Sequence, residues 1–236
     1  MLVLLGCGCP ALAQTAREQA EAQAMYQQAN TAASGQALRT ALSQQTTGFL
    51  GDGSFQFGAL RTYDGRYRPI TGLRYHVGLQ LLEAQDSLDL EKTHLWPAGS
   101  LRGFDLGEAG DAEVPLRRFR CRVVKEGTTG TRREFVEILT AVDAGPLVLG
   151  WLYSIALVPT PNGKRPLVAT LMAGPGTIGA EPLRPLEPNQ TAVLRLFGAR
   201  AEDVRMFALG QHLDFTRPAD IARMMDHYNR MVVVVR

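Results

Sequence analysis

Apolar residues recur at every second position over much of the middle of this chain. The stretch LRYHVGLQL at 73–81 has apolar side chains at its odd positions and mostly polar ones at its even positions. This is the pattern of a half-buried strand, and it places His76 on the solvated face. The same alternation fills 117–124 (RRFRCRVV) and returns in REFVEILTAV at 133–142. These two consecutive alternating segments predict two neighbouring antiparallel strands.

Further strands are predicted at 54–61, 89–90, 103–106, 147–158, 166–172 and 191–197. Asp64-Gly65 and Asn162-Gly163 are dipeptides typical of tight hairpin turns. His94 falls between predicted strands and is assigned to a loop. Strands at this spacing with short turns indicate an antiparallel meander, which could be an open sheet, a sandwich or a partial barrel.

Helical patterns are confined to the two ends of the chain. The Ala- and Gln-rich segment predicts helices at 16–30 and 36–45, separated at Ser34-Gly35. Near the C-terminus we expect a helix at 201–209 that ends at Gly210, and a last helix from Pro218 that Thr216 caps. Its apolar stripe faces a core and consists of Ile221, Met224, Met225 and Tyr228.

These elements predict an α+β fold that is mainly antiparallel β. The expected organisation is a signal peptide at 1–13, a helical segment at 14–47, a β domain at 48–197, and C-terminal helices at 198–236 packed on the same domain. The chain has 236 residues and a net charge of +2. This charge is too small for the basic surface of a nucleic-acid-binding protein. No apolar run reaches 18 residues, so no transmembrane helix is expected.

The first residues suggest export. LLGCGCPALAQ at 4–14 contains an A-x-A tripeptide, which predicts cleavage between Ala13 and Gln14. Because the usual basic n-region is missing, we expect the native start to lie upstream. An alternative is a lipoprotein anchored at Cys7, since LLGC is similar to a lipobox, and a third is an ordinary buried segment. Cleavage would leave Cys121 as the sole cysteine, expected to be an inert core thiol. The predicted location is the periplasm or the outer cell envelope.

Catalytic motifs give little support for an enzyme. Gly174, Gly176 and Gly179 match G-x-G-x-x-G, but the prolines that follow prevent the helix that this motif requires. Neither a metal nor a cofactor is expected, and no catalytic residue is assigned. A hydrolase or metal site would have to be built from a set of C-terminal residues: His212, Asp214, Asp226 and His227. The simpler interpretation pairs Asp226 with Arg230 on the last helix.

A row of arginines is the most distinctive polar feature. Arg118, Arg120 and Arg122 share one face of a predicted strand, with Arg117 beside them. At about 3.3 Å per residue they would form a basic stripe roughly 13 Å long. Such a stripe could bind an anionic ligand, for example a lipid headgroup or a glycan phosphate. The pattern favours a simpler interpretation, a solvated face whose arginines pair with Glu134 or Glu137 across the hairpin.

The A-x-A tripeptide before Gln14, the segments LRYHVGLQLL and REFVEIL, and the helix ending His227-Tyr228-Asn229 resemble a group of exported bacterial proteins. The resemblance implies the envelope of a Gram-negative bacterium, and it implies neither an activity nor any site residue. The expected function is therefore non-enzymatic binding of a lipid, a glycan or an envelope protein by a β-rich domain. The alternatives are a loop-based hydrolase and a lipid or glycan carrier with a cavity in the sheet. An integral outer-membrane barrel fits the C-terminal helices poorly.

Overall fold

The computed structural model of this chain describes residues 10–44, 47–86, 88–112, 114–127, 130–143, 145–160, 165–177 and 181–233. The helices are α1 (Pro10–Ala29), α2 (Ala32–Gln44), α3 (Gln190–Arg195), α4 (Ala201–Gly210) and α5 (Pro218–Val233). The strands are β1 (Gln56–Arg61), β2 (Tyr67–His76), β3 (Leu81–Gln85), β4 (Thr93–Pro97), β5 (Gly103–Leu106), β6 (Arg117–Val124), β7 (Arg132–Ile138), β8 (Val148–Ile155), β9 (Leu167–Gly174) and β10 (Arg184–Pro185).

All of these strands belong to one antiparallel sheet. Its order is β10-β9-β8-β7-β6-β5-β1-β2-β3-β4, so neighbours in the chain are mostly neighbours in the sheet. The predicted mainly antiparallel α+β meander is confirmed. Of the helices in the described ranges, none has both the length and the apolar character needed to span a lipid bilayer.

One half of the sheet curls around an aromatic core. Tyr75, Phe104, Phe119 and Phe135 come from four different strands and are almost completely buried. Phe104 and Phe119 stack with ring centroids 4.7 Å apart, because the two residues lie directly opposite each other on β5 and β6. Gln80, which follows β2, accepts a hydrogen bond of 3.0 Å from the Phe135 amide on β7. The turn between β2 and β3 therefore lies over β7, although β1, β5 and β6 separate β2 from β7 in the sheet.

A short segment closes the other half of the sheet. Leu183 exchanges backbone hydrogen bonds of 2.9 Å with Val123 and Lys125 beside β6, while the next residues, β10, pair with β9. One short segment thus bridges β6 and β9, and this half is a partial barrel. An apolar cluster that includes Val136, Leu152 and Met172 fills it.

The helices cover both ends of the sheet. The predicted stripe on α5 is confirmed as core: Ile221, Met224 and Met225 are fully buried against α3, α4 and the β8–β9 hairpin. At the other end, Asn30 exchanges two hydrogen bonds, of 2.8 and 3.0 Å, with the backbone of Leu95 on β4. This contact places α1 against an otherwise open edge strand, which limits unwanted strand pairing there.

Several sequence-based assignments are wrong in detail. The alternation over 73–81 is interrupted, because β2 ends at His76 and a 3₁₀ turn over Val77–Leu79 precedes β3. His76 is fully buried rather than solvated: its Nδ1 accepts a 3.1 Å bond from the Leu79 amide, and its ring packs edge-on against Phe49. The break between the first helices falls at Asn30-Thr31, not at Ser34-Gly35.

Three further assignments change. His94 lies on strand β4 rather than in a loop, and 89–90 is not a strand. The stretch 191–197 falls mostly in α3, because the Asn189 side chain accepts a 2.9 Å bond from the Ala192 amide and begins a helix. Thr216 does not cap α5, since its hydroxyl donates to Asp214. Asn162-Gly163, Cys7 and Gly179 lie outside the described residues, and the backbone of Ala13 and Gln14 is part of α1.

Candidate anion-binding cavity

An open cavity of about 980 Å³ lies between the β1–β2 hairpin, the start of β5, strand β6, the β7–β8 loop and helix α5. Its size is at the upper end of the range for pockets that hold small organic ligands, roughly 300–1,000 Å³. Its basic lining residues are Arg61, Arg66, Arg102, Arg120, Arg122 and Arg230. The rest of the lining includes two acidic residues, Asp143 and Asp226, two neutral polar ones, Thr62 and Asn229, and a few small or apolar ones.

The base of the cavity is built from the arginine row predicted on β6. Strand alternation places Phe119 and Cys121 on one face and Arg118, Arg120 and Arg122 on the other. Arg120 and Arg122 line the cavity and are only 4% and 9% exposed. Arg118 does not line it, because its guanidinium turns to the carbonyl oxygens of Thr140 and Ala141 at the end of β7.

Two aspartates hold this row, and neither is a residue that the hairpin pattern suggested. Asp105 on β5 accepts a 2.7 Å bond from Arg120 and bonds of 2.9 and 3.0 Å from Arg61. Asp143 in the β7–β8 loop pairs with Arg120, and more distantly with Arg118 at 3.4 Å. We call Arg61, Arg118, Arg120 and Arg122 the arginine cluster.

The predicted pairing of the row with Glu134 or Glu137 is therefore wrong. Glu137 pairs with Arg117, on the opposite face of β6, with Nη2 2.7 Å from Oε2. Glu134 pairs with Arg132 on its own strand. The arginines of the row instead reach across the sheet to Asp105, which is almost fully buried, and into the next loop to Asp143, which is partly exposed.

Gly103 makes room for this arrangement. It lies opposite Arg120 on β5 and between Arg120 and Arg61 in the sheet. A Cβ at this position would lie 3.0 Å from Arg120 Cδ and 2.1 Å from the Phe119 carbonyl oxygen. The missing side chain lets the Arg120 guanidinium lie across β5 and reach Asp105.

The arginine cluster contains more positive than negative charge. Its four guanidinium groups meet two carboxylates, Asp105 and Asp143, which leaves an excess of two positive charges. Two of its donors, Arg120 Nη2 and Arg122 Nε, are buried without a hydrogen-bond partner among the residues that the structure describes. Burial lowers the pKa of Arg122 more than the nearby Asp143 raises it. Arginine remains charged in proteins nonetheless, so the excess charge persists.

Further cations stand at the rim. Arg66, Arg102 and Arg230 are exposed, and Arg66 pairs with Asp64 at 3.3 Å. Arg102 and Arg230 have no ion-pair partner within the described ranges. The rim therefore adds to the positive potential of the base, and clefts with one sign of charge concentrate ligands of the opposite sign.

Helix α5 fixes the wall that carries Asp143. The Asp226 carboxylate accepts bonds of 2.8 and 3.1 Å from the Ala141 amide. Asn229 exchanges bonds of 2.9 and 2.8 Å with the amide and carbonyl of Leu147. A Cβ on Gly145 would lie 2.8 Å from Asn229 Nδ2, so glycine allows this close approach. Asp226 is thus a docking residue, and the predicted pairing with Arg230 is not formed in the described structure.

The proposed hydrolase or metal cluster is not assembled. Asp214 binds Thr216 in the turn before α5, and the His227 ring stacks on Phe207 at 3.8 Å. In the part of the chain that the structure describes, no group of three or more His, Cys, Asp or Glu side chains could hold a metal ion. His212, Asp214, Asp226 and His227 therefore do not form a common site.

Cys121 lies on the opposite face of β6 from the arginine cluster, and it is a free cysteine within the described ranges. Burial raises the pKa of its thiol, despite the opposing charge of Arg133 and a hydrogen bond with Tyr63. The protonated thiol is a poor nucleophile, so the environment is that of a structural cysteine.

No protein-family model, curated protein or solved structure matches this chain.

The pKa of Asp143 gives a pH-dependent contribution to stability. Burial raises this pKa, but the bond from Arg120 and the charges of Arg120, Arg118 and Arg61 outweigh burial and lower it. A lowered folded-state pKa means that the contribution is complete above the unfolded value, about 3.9, and is lost as the pH falls through the folded value. The unfolding free energy of the wild type should exceed that of Asp143→Asn at pH 7, and the difference should shrink below about pH 4. Urea unfolding across this range measures it, and a pH-independent difference would contradict the assignment.

Proposed function

We propose that this protein is a non-enzymatic binding protein that takes up an anionic small molecule in the cavity above the arginine cluster. The observation that carries the proposal is the excess of positive charge in the arginine cluster, where buried Arg122 pairs with no carboxylate in the described structure and two donors are orphaned. Buried charges are normally paired, because an uncompensated one costs several kcal/mol, about 3–5 when a partner is removed. A bound anion would supply the missing charge and accept hydrogen bonds from the surrounding arginines.

The described lining supports binding more than catalysis. Asp143 is committed to arginines, and Asp226 to the Ala141 amide. Fixed carboxylates of this kind position other groups, whereas a general base needs a free site for the substrate proton. Guanidinium groups bind carboxylates and phosphates through paired, charge-assisted hydrogen bonds. Both oxyanions are therefore suitable ligands.

The proposed cellular location of this binding protein rests only on the first residues of the sequence. Export with cleavage between Ala13 and Gln14 remains a prediction, and with it the periplasmic or outer-envelope location. In that setting the envelope lipids and glycans are sources of phosphate and carboxylate groups. A partner protein with an acidic segment would use the same charge, but a concave site of about 980 Å³ suits a small ligand.

Charge reversal at the rim provides a test that leaves the fold intact. Arg102 is exposed and unpaired within the described structure, so Arg102→Glu should fold normally while placing a negative charge at the cavity mouth. Its affinity for inorganic pyrophosphate, measured by isothermal titration calorimetry, should fall roughly 10-fold or more, since a hydrogen bond between charged groups contributes about 1.5–3 kcal/mol.

The matched control is Arg195→Glu, which makes the same charge change at an exposed position of α3 outside the cavity. It should leave the affinity nearly unchanged, and raising the ionic strength should weaken binding in both proteins. Equal losses in the two variants would show that pyrophosphate responds only to net charge, and would reject the cavity as its site.

A further inference from the structure

The cavity contains apolar surface that a simple inorganic anion would leave uncovered. Tyr67 and Val142 are 55% and 48% exposed, although both are large apolar side chains. Both line the cavity, together with Ala141 and Pro146. Single exposed apolar residues are common, but their concentration around one charged pocket is a feature of ligand sites.

The apolar and charged parts of the lining come from different elements. The positive base comes from β1 and β6, as Arg61, Arg120 and Arg122. One apolar wall is the β7–β8 loop, which contributes Ala141, Val142 and Pro146, and which α5 holds in place. Across the cavity, Tyr67 begins β2, and the Arg61 guanidinium lies over its ring at 5.2 Å. A ligand with a charged end and an apolar body would find a surface for each.

From this arrangement we infer that the ligand is an amphiphilic anion, a phosphate or carboxylate head attached to an apolar body. The inference rests on the proposed function and specifies its ligand class. The head binds at the arginine cluster, and the body packs against Val142, Pro146 and Tyr67. A volume of about 980 Å³ is far larger than one oxyanion needs, so an inorganic anion fills only the charged end.

A series of alkyl phosphates tests the amphiphilic ligand separately from the proposed anion site. Ethyl, butyl, hexyl and octyl phosphate are titrated by calorimetry below their aggregation concentrations, with pyrophosphate and 1-hexanol as references. A fully buried methylene contributes about fourfold in affinity, and a partly open cavity less. Affinity should therefore rise about two- to fourfold per methylene, while 1-hexanol should bind far more weakly than hexyl phosphate.

The possible outcomes are distinct. Alkyl phosphates that bind with equal affinity at every chain length would overturn the amphiphile and leave the anion site standing. No binding of any phosphate, pyrophosphate included, would overturn the proposed function as well. Vesicles of phosphatidylcholine with phosphatidic acid distinguish two sources of the ligand. Binding to both the vesicles and the alkyl phosphates indicates a membrane lipid. Binding to the soluble alkyl phosphates alone indicates a free amphiphile.

A valine pair tests where the apolar body lies. Val142→Ser removes two methyl groups from the wall without changing charge, and it should lower the affinity for octyl phosphate several-fold while leaving pyrophosphate binding within about twofold. Val168→Ser is the control, since Val168 is similarly exposed at 43% but lies on β9 away from the cavity. Equal effects of the two substitutions on octyl phosphate would place the apolar body elsewhere and overturn the assignment.

Discussion

Arg120→Met should destabilise the fold by about 3–5 kcal/mol, the typical cost of removing one partner from a buried ion pair. Arg120 forms ion pairs with both Asp105 and Asp143. Its loss therefore removes one positive partner from each of these two carboxylates. The free energy of unfolding, from urea or guanidinium titration followed by circular dichroism, measures the effect.

The control for this prediction is Arg205→Met, which breaks an exposed ion pair with Glu202 on α4. Such pairs contribute little, so no measurable loss is expected there. If Arg120→Met lowered the free energy of unfolding no more than the control did, the ion pairs of Arg120 would contribute no more than exposed ones. The arginine cluster would then not need a bound anion to balance its charge.

Arg122→Met, only two residues away on the same face, should have the opposite effect on stability. The Arg122 guanidinium is buried with an orphaned Nε, and its clearest partner is a backbone carbonyl, that of Asp143. Replacing a poorly compensated buried charge by an apolar side chain of similar length is often neutral or stabilising, by about 1–4 kcal/mol. We therefore expect a protein at least as stable as the wild type that binds pyrophosphate roughly 10- to 100-fold more weakly.

Stability and affinity must be measured on the same preparation for this second prediction. A gain in stability with a loss of binding is typical of residues retained for function at some cost to the fold. If Arg122→Met instead lowered the free energy of unfolding by several kcal/mol, as much as Arg120→Met does, the charge of Arg122 would already be compensated within the protein. The cavity would then need no anion.

The sequence predicts the strands best where nothing interrupts their alternation. Strand β6 was predicted with its observed bounds, because Phe119, Cys121 and Val123 alternate with arginines up to a glycine-containing loop. The alternation at 73–81 was misleading because Gln80 adopts a left-handed backbone conformation, with φ of 49°, and the 3₁₀ turn keeps Val77 buried without a strand. The apolar run at 191–197 was misleading because a single cap at Asn189 decides between helix and strand.

The arginine row of the candidate site was visible in the sequence, but its partners were not. Asp105 and Asp143 are 15 and 23 residues from Arg120, and only the order of the strands and the path of the β7–β8 loop bring them together. One local signal existed: Asp105 is a charged residue in the apolar strand GFDL, and such residues are rarely buried unless paired. Nothing local connects Arg102 or Arg230 to β6, since tertiary packing alone assembles the rim.

The hydrogen bonds from α5 to the β7–β8 loop also impose an order on biosynthesis. Ala141 and Asp226 are 85 residues apart, and Leu147 and Asn229 are 82 apart. At about 5–20 residues per second, roughly 4–17 s separate the synthesis of the wall from that of the helix that holds it. A chain that stops before α5 can form the strands that carry the arginine cluster, but not the anchored wall. A nascent chain therefore completes this cavity wall only after α5 has been synthesised.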